Sequence, residues 1–127
     1  MALEVDVSEL GQGGRRVTLH GRLDTLTAPM LDERLAALLA SPSVTTLLFD
    51  LARLEYVSSA GLRVLVKARR VLESRGGGMV VANVRPPVRK VFDIVKALPS
   101  IDFFQDDAEL DAFLERMQRD SPPPRAG

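Results

Sequence analysis

The sequence of 127 residues has no cysteine, one histidine and no excess of charge of either sign. Without cysteine the chain can form no disulfide, thiolate nucleophile or cysteine-ligated zinc, and His20 alone cannot form a histidine metal cluster. Seventeen basic residues balance seventeen acidic ones, so no overall field attracts nucleic acid. We therefore expect no metal, no cofactor and no nucleic-acid partner.

Long apolar runs are also missing from the chain. No stretch approaches the roughly 20 apolar residues that span a bilayer, and the segment from Met1 to Gly11 lacks the basic start and apolar core of a signal peptide. We expect a cytoplasmic protein without a membrane partner. The hydrophobic content of 46% is sufficient for one domain with a real core.

Apolar residues alternate first with the period of a strand and then with that of a helix. The patterns over residues 3–7 and 17–23 predict two strands joined by a glycine-rich turn, and residues 27–40 predict a helix with Thr27 as its cap. Strand and helix patterns then alternate: strands over 44–51, 79–84 and 101–104, and helices over 62–72, 88–98 and 106–117.

This order predicts an α/β fold. Its sheet is mixed, mostly parallel and five-stranded, opens with an antiparallel strand pair, and packs against about four helices. Residues 1–118 are predicted to form one domain. Residues 119–127 contain three consecutive prolines and no large apolar residue, which is typical of a disordered tail.

The segment from Asp50 to Leu62 is the most informative part of the sequence for function, because it joins a buried strand to a helix through a loop that ends in Ser58 and Ser59. Unpaired amides and the positive end of the helix dipole lie at a helix start, where a serine can cap the helix and a phosphate on it is tolerated. The residues alone favour a simple cap. The small Ala60 and Gly61 suit either tight helix packing or close approach of another backbone.

This segment resembles the signature of STAS domains, specifically that of the anti-sigma factor antagonists. In that family a strand ends in a polar residue and leucine, and an aspartate, the phosphorylated serine, a hydroxyl residue, glycine and leucine follow some seven residues later. The resemblance places the phosphoacceptor on Ser59. Ser58 stands where the family has aspartate and Ala60 where it has the second hydroxyl residue, so Ser58 is the second candidate acceptor.

A second match is Gly21-Arg22-Leu23-Asp24, which resembles a family motif at the end of the second strand, beside the phosphorylation loop. Asp24 is equally well interpreted as a helix cap. A third match, over residues 77–92, falls mostly on core positions. Together these matches imply a partner-binding surface of nine residues: Arg22, Asp24, Thr25, Val57, Ser58, Ser59, Ala60, Gly61 and Arg63.

The resemblance implies a non-enzymatic partner switch. In such a switch the unphosphorylated protein binds an anti-sigma factor, which is also a serine kinase of the histidine-kinase-like ATPase fold, and so releases the sigma factor. Phosphorylation of Ser59 by that kinase abolishes binding, and a serine phosphatase restores it. We expect a monomer, since the domain is complete and its charge balanced.

Two other functions are compatible with the same fold. One is a scaffold or accessory subunit of an ATPase or sensor complex, without phosphorylation. The weaker one is a module that holds a nucleotide or metabolite at the strand-to-helix loops. A hydrolase is disfavoured, because nothing in the sequence places a base and an orienting group beside Ser59.

Two further patterns have ordinary structural interpretations. The glycines at 76–78 follow a helix and precede a strand, which is the wrong order for a nucleotide-binding loop. Five basic residues on the preceding helix are typical of a solvated face, and contact with an acidic partner is the less favoured alternative. They are Arg63, Lys67, Arg69, Arg70 and Arg75.

Overall fold

A computed structural model describes the backbone of residues 2–95 and 102–104, and the side chains of residues 2–90. Strands and helices alternate after an initial strand pair. The elements are β1 (Leu3–Gly11), β2 (Gly14–Leu23), α1 (Ala28–Leu39), β3 (Thr46–Val57), α2 (Ser59–Ser74), β4 (Gly78–Ala82), α3 (Pro86–Val95) and β5 (Asp102–Phe104).

The strands form one sheet in the order β1-β2-β3-β4-β5. β1 and β2 are antiparallel and are joined by the glycine-rich turn, whereas β2, β3, β4 and β5 pair in parallel. This confirms the predicted α/β class and the mixed sheet that opens with an antiparallel pair. The predicted helix over residues 106–117 and the predicted tail over residues 119–127 lie outside the described residues.

The main core lies between the sheet and the inner faces of the helices. Alternate side chains of β2 and β3 meet helical residues three and four apart on α1 and α2. The principal members are Val17, Leu19, Leu23, Leu31, Leu35, Leu47, Phe49, Leu62, Leu65 and Leu72, none more than 2% exposed.

Strand β3 is longer than predicted. The sequence indicated a strand that ends at Leu51 and a loop up to Ser58, but β3 continues to Val57 and remains paired with β2. Two register shifts between β2 and β3 are β-bulges, each of which places one extra residue in β3. As a result Leu51, Leu54 and Val57 return to the core at every third position. This spacing matches neither simple period, which is why the sequence patterns missed it.

Because β3 is longer than β4, its C-terminal end extends past β4. β4 pairs with β3 only as far as Asp50↔Ala82, whereas β2 accompanies β3 to the pair Leu23↔Val57. The last seven residues of β3 therefore project beyond β4 alongside β2. The residues that follow these two strands, 24–27 and 58–61, lie next to each other at that end.

Candidate functional site

Ser58 caps helix α2, and this separates it from its neighbour Ser59. Its backbone is extended, with φ −98° and ψ 170°, and its Oγ accepts a hydrogen bond from the Gly61 amide at 3.2 Å. The Ser58 amide in turn donates to the carbonyl of Leu23 at 2.9 Å, which continues the β2–β3 ladder by one bond. Ser58 is thus held through both its backbone and its side chain.

Ser59 is the first residue of α2, and its side chain is exposed. Its hydroxyl makes no hydrogen bond to any residue within the described part of the chain. The two adjacent serines therefore have different environments. One hydroxyl is used by the helix, and the other faces solvent above the unpaired amides of the first helical turn.

Gly61 brings the start of α2 against the end of β2. A Cβ at this position would lie 2.5 Å from Cγ and 2.9 Å from Cδ2 of Leu23, and 3.1 Å from its carbonyl oxygen. Leu23 is fully buried and cannot swing away. The tight-packing interpretation of Gly61 is correct, and this contact fixes the serine loop relative to the loop that begins at Asp24.

Asp24 organises the turn that precedes α1. Its Oδ1 accepts hydrogen bonds from the amides of Leu26 and Thr27, both at 3.0 Å, while the Asp24 amide donates to Thr27 Oγ1 at 2.9 Å. This reciprocal pair has the pattern of a capping box. Thr27 occupies the residue before the helix, as predicted, but its side chain makes no cap bond to α1 and instead donates to the carbonyl of Arg22.

The same contacts shift the ionisation of Asp24. The hydrogen bond from the Thr27 amide is the largest reason that the pKa of Asp24 lies below its ordinary value. The Leu26 amide, the Thr27 hydroxyl and the Arg22 guanidinium lower this pKa further, whereas desolvation of the carboxylate opposes them. Asp24 is therefore an anion held in a fixed position at the edge of the loop.

Arg22 joins the two loops on the outer side of the strand pair. Its guanidinium carbon lies 4.3 Å from the centre of the Tyr56 ring, and its Nε lies 3.9 Å from Asp24 Oδ2. Tyr56 is 41% exposed and Leu26 is 89% exposed. A cation, an anion and two exposed apolar side chains thus lie on the same end of the molecule as Ser59.

A family model of the STAS domain matches residues 12–110. The chain belongs to the STAS domain family. This STAS domain is 38% identical over 76 residues to BtrV of Bordetella bronchiseptica, an alignment that spans 60% of this chain and 65% of BtrV, just under two thirds of that relative. It is 28% identical over 105 residues to the anti-sigma F factor antagonist of Paenibacillus polymyxa, with 80% of this chain and 89% of that protein covered.

Solved structures share the fold of this STAS domain. The anti-sigma factor antagonist SpoIIAA in its unphosphorylated form superimposes with a TM-score of 0.69 at 22% identity, covering 91% of this chain and 98% of SpoIIAA. An anti-sigma factor antagonist from Mycobacterium paratuberculosis superimposes with a TM-score of 0.75 at 24% identity, covering 87% and 93% of the two chains. At these identities the likeness concerns the fold.

The STAS domain brings most of the predicted surface residues together. Arg22 lies in the last part of β2 and Asp24 and Thr25 follow that strand, whereas Ser58, Ser59 and Ala60 follow the adjacent end of β3. Arg63 lies one helical turn after Ser59 and is exposed.

Two members of the predicted surface require correction. Val57 is only 2% exposed and belongs to the core, because the second bulge of β3 turns it inward opposite Leu23. Gly61 is buried against Leu23. These two residues support the surface from below and offer no side chain to a partner.

Sequence reasoning missed Tyr56 and Leu26. Both are among the three large hydrophobic side chains that are exposed in the described part of the STAS domain, and the third, Val7, lies in β1. Simple alternation from the buried Leu54 would turn Tyr56 inward, so its pattern was misleading, whereas Leu26 falls outside the apolar period of α1. Interpreting either pattern required the bulges and the turn, which only the structure supplies.

No group of three or more histidine, cysteine, aspartate or glutamate side chains that could hold a metal occurs in the part of the STAS domain that the structure describes. Over the same residues, no helix is both long enough and apolar enough to cross a membrane.

Proposed function

We propose that this STAS domain is an anti-sigma factor antagonist whose binding to its partner is turned off by phosphorylation of Ser59. In this proposal the unphosphorylated domain binds an anti-sigma factor, which then releases its sigma factor. The observation that carries the proposal is the division of roles between the adjacent serines: Ser58 is used as the helix cap, and Ser59 is exposed with its hydroxyl unengaged. Relatives named as anti-sigma factor antagonists support the assignment of function.

The position of Ser59 suits a switch that needs little internal motion. A phosphate there would add about 1.5 to 2 negative charges beside the free amides at the start of α2, so the folded domain tolerates it. A partner that covers Ser59 would have to bury this hydrated dianion. Burial without a paired cation costs several kcal/mol, and each 1.4 kcal/mol weakens binding about tenfold.

The binding surface in this proposal extends beyond the serine loop. It consists of exposed and half-buried residues at the ends of β2 and β3, in the loops that follow them and at the start of α2: Arg22, Asp24, Thr25, Leu26, Tyr56, Ser59, Ala60 and Arg63. Tyr56 and Leu26 supply the apolar centre that protein interfaces need, and Asp24 and Arg22 supply fixed charges around it. Ser58 remains the second candidate acceptor, and its engagement as a cap argues against it.

Catalysis by the domain itself has little support. A nucleophilic Ser59 would need a base within hydrogen-bond reach. His20, whose Nδ1 lies 3.5 Å from Glu4 Oε2, is on the β1–β2 pair opposite Glu4 and Arg53. We therefore propose a non-enzymatic regulator. Its proposed partners are a serine kinase of the histidine-kinase-like ATPase fold and a serine phosphatase, and the proposed state is a cytoplasmic monomer.

The test is to co-express the domain with kinases of that class from its own host and to map phosphate by intact-mass and peptide mass spectrometry. The expected result is one phosphate on Ser59, lost in Ser59→Ala and retained in the matched control Ser58→Ala. Binding of the kinase should weaken at least tenfold in the phosphorylated protein. Constitutive binding of a partner with no phosphate at any stage of signalling would favour the scaffold function and contradict the switch.

A further inference from the structure

An open apolar groove lies between α1 and α2, on the side of these helices that faces away from the sheet. Its cavity has a volume of about 230 Å³. The walls are formed by Leu35 and Leu39 of α1 and by Val64 and Val71 of α2. On the α1 side the rim consists of Asp32, Ala36 and Ala40, and the small exposed side chains of the two alanines leave the groove open to a partner.

A row of basic residues runs along α2 beside this groove, and its middle member, Lys67, is one of the residues that line the groove. At 100° per residue, Arg63, Lys67 and Arg70 lie within about 60° of one another on α2, and Ser59 lies within about 20° of Arg70 on the same row. All four side chains are exposed. We call Arg63, Lys67 and Arg70 the basic row, and it starts one helical turn after the proposed phosphoacceptor.

The basic row is only partly neutralised. Lys67 pairs with Asp32 at 3.3 Å across the groove. Arg63 and Arg70 form no ion pair with any residue that the structure describes, although the chain as a whole has no net charge. A solvated helix face in a balanced protein usually carries both signs, so the unmatched cations beside an apolar groove call for an anionic partner.

We propose that this groove binds an amphipathic, acidic helix of a protein partner. Apolar side chains of that helix, three and four residues apart, fill the space between α1 and α2, and its flanking carboxylates pair with Arg63 and Arg70. The proposal rests on the proposed function only for the identity of the partner, namely the anti-sigma factor. The groove and its charges are independent of that identity.

The shape of this surface favours a helix over an anionic membrane. Insertion into a bilayer needs apolar side chains that project from the protein, together with a broad basic face. Here the apolar residues Val64 and Val71 are half-buried in a concave surface, and Lys67 is the only cation among the described residues that line it.

The same arrangement links the groove to Ser59. A phosphate on Ser59 lies four residues before Arg63, the spacing at which opposite charges on a helix pair. Phosphorylation would thereby offset most of the positive charge of the basic row and repel an acidic helix. Release of the partner would then come from the groove as well as from the serine loop.

The test uses synthetic helices of defined composition as probes. The acidic probe is an acetylated and amidated peptide of about 15 residues, with leucine three and four residues apart and glutamate and alanine elsewhere. The control probe carries lysine in place of every glutamate. Binding to the full chain is measured by isothermal titration and located by amide chemical-shift changes in NMR.

We expect the acidic probe to bind at least tenfold more tightly than the basic probe, with shifts at Ala36, Val64 and Val71. The double variant Arg63→Glu/Arg70→Glu should reverse this preference, and Ser59→Asp should weaken the acidic probe several-fold. The matched control Arg34→Glu, on the exposed side of α1, should change neither affinity. Circular dichroism verifies that each variant is folded.

Equal affinity for both probes, or shifts confined to other elements, would overturn the groove proposal. So would sedimentation with anionic lipid vesicles that is stronger than binding of the acidic probe. Neither result affects the phosphorylation of Ser59 by a kinase, which tests the proposed function separately. Conversely, a domain that binds the acidic helix but is never phosphorylated would support the groove proposal and contradict the phosphorylation switch.

Discussion

The division of roles between Ser58 and Ser59 yields a prediction in which stability and phosphorylation separate. Replacing Ser58 with alanine removes the 3.2 Å hydrogen bond from the Gly61 amide to Ser58 Oγ and leaves the backbone bond to Leu23 intact. Loss of such a cap costs about 1 kcal/mol, within a range of about 0.5–2 kcal/mol. In a domain of this size that lowers Tm by about 3–5 °C.

Ser59→Ala removes an exposed hydroxyl without a described partner, so its free energy of unfolding should lie within about 0.5 kcal/mol of wild type. Both variants should be unfolded with urea and followed by far-ultraviolet circular dichroism, since the chain has no tryptophan. Phosphate incorporation should show the opposite order, retained in Ser58→Ala and lost in Ser59→Ala. If Ser59→Ala were the less stable variant, or if Ser58→Ala abolished phosphorylation while still folded, the assigned roles would be refuted.

Three further predictions concern the surroundings of the serines. Gly61→Ala should destabilise the domain by about 1 kcal/mol in urea unfolding, because overpacking against Leu23 outweighs the gain in helix propensity. The control is Gly78→Ala, because a Cβ at Gly78 would have no atom within 4 Å. Tyr56→Ala should weaken partner binding at least tenfold by titration calorimetry, whereas Val7→Ala should not. The lowered pKa of Asp24 implies a contribution to stability that is present above pH ~4 and is lost as pH falls through the folded-state pKa. The difference in free energy of unfolding between wild type and Asp24→Asn should therefore shrink on acidification. A difference that grows at low pH would contradict the assignment.

The elements that the sequence predicted well are those with an undisturbed period. Helix α1 was predicted from the spacing of Leu31 and Leu35, and the alternation from Val17 to Leu23 was sufficient for β2. Neither pattern depends on contacts between distant parts of the chain. The fold class follows from the order of such segments.

The features that escaped prediction depend on pairing between strands. Each bulge in β3 is defined by the register of β2, so the inward turn of Val57 and the exposure of Tyr56 could not be derived from β3 alone. The choice between Ser58 and Ser59 as the cap likewise depends on one backbone angle at the helix start. The proposal that Ser59 is the phosphoacceptor came from a resemblance, and the use of Ser58 as the cap supports it.

The two bulges of β3 also bear on how the partner specificity of such a domain can change during evolution. An ordinary strand exposes one side chain for each one it buries, but the segment from Leu51 to Val57 exposes two: Ala52 and Arg53, then Glu55 and Tyr56. Substitutions at these four positions leave the buried anchors Leu51, Leu54 and Val57 untouched. New recognition residues can therefore accumulate there without a loss of foldability.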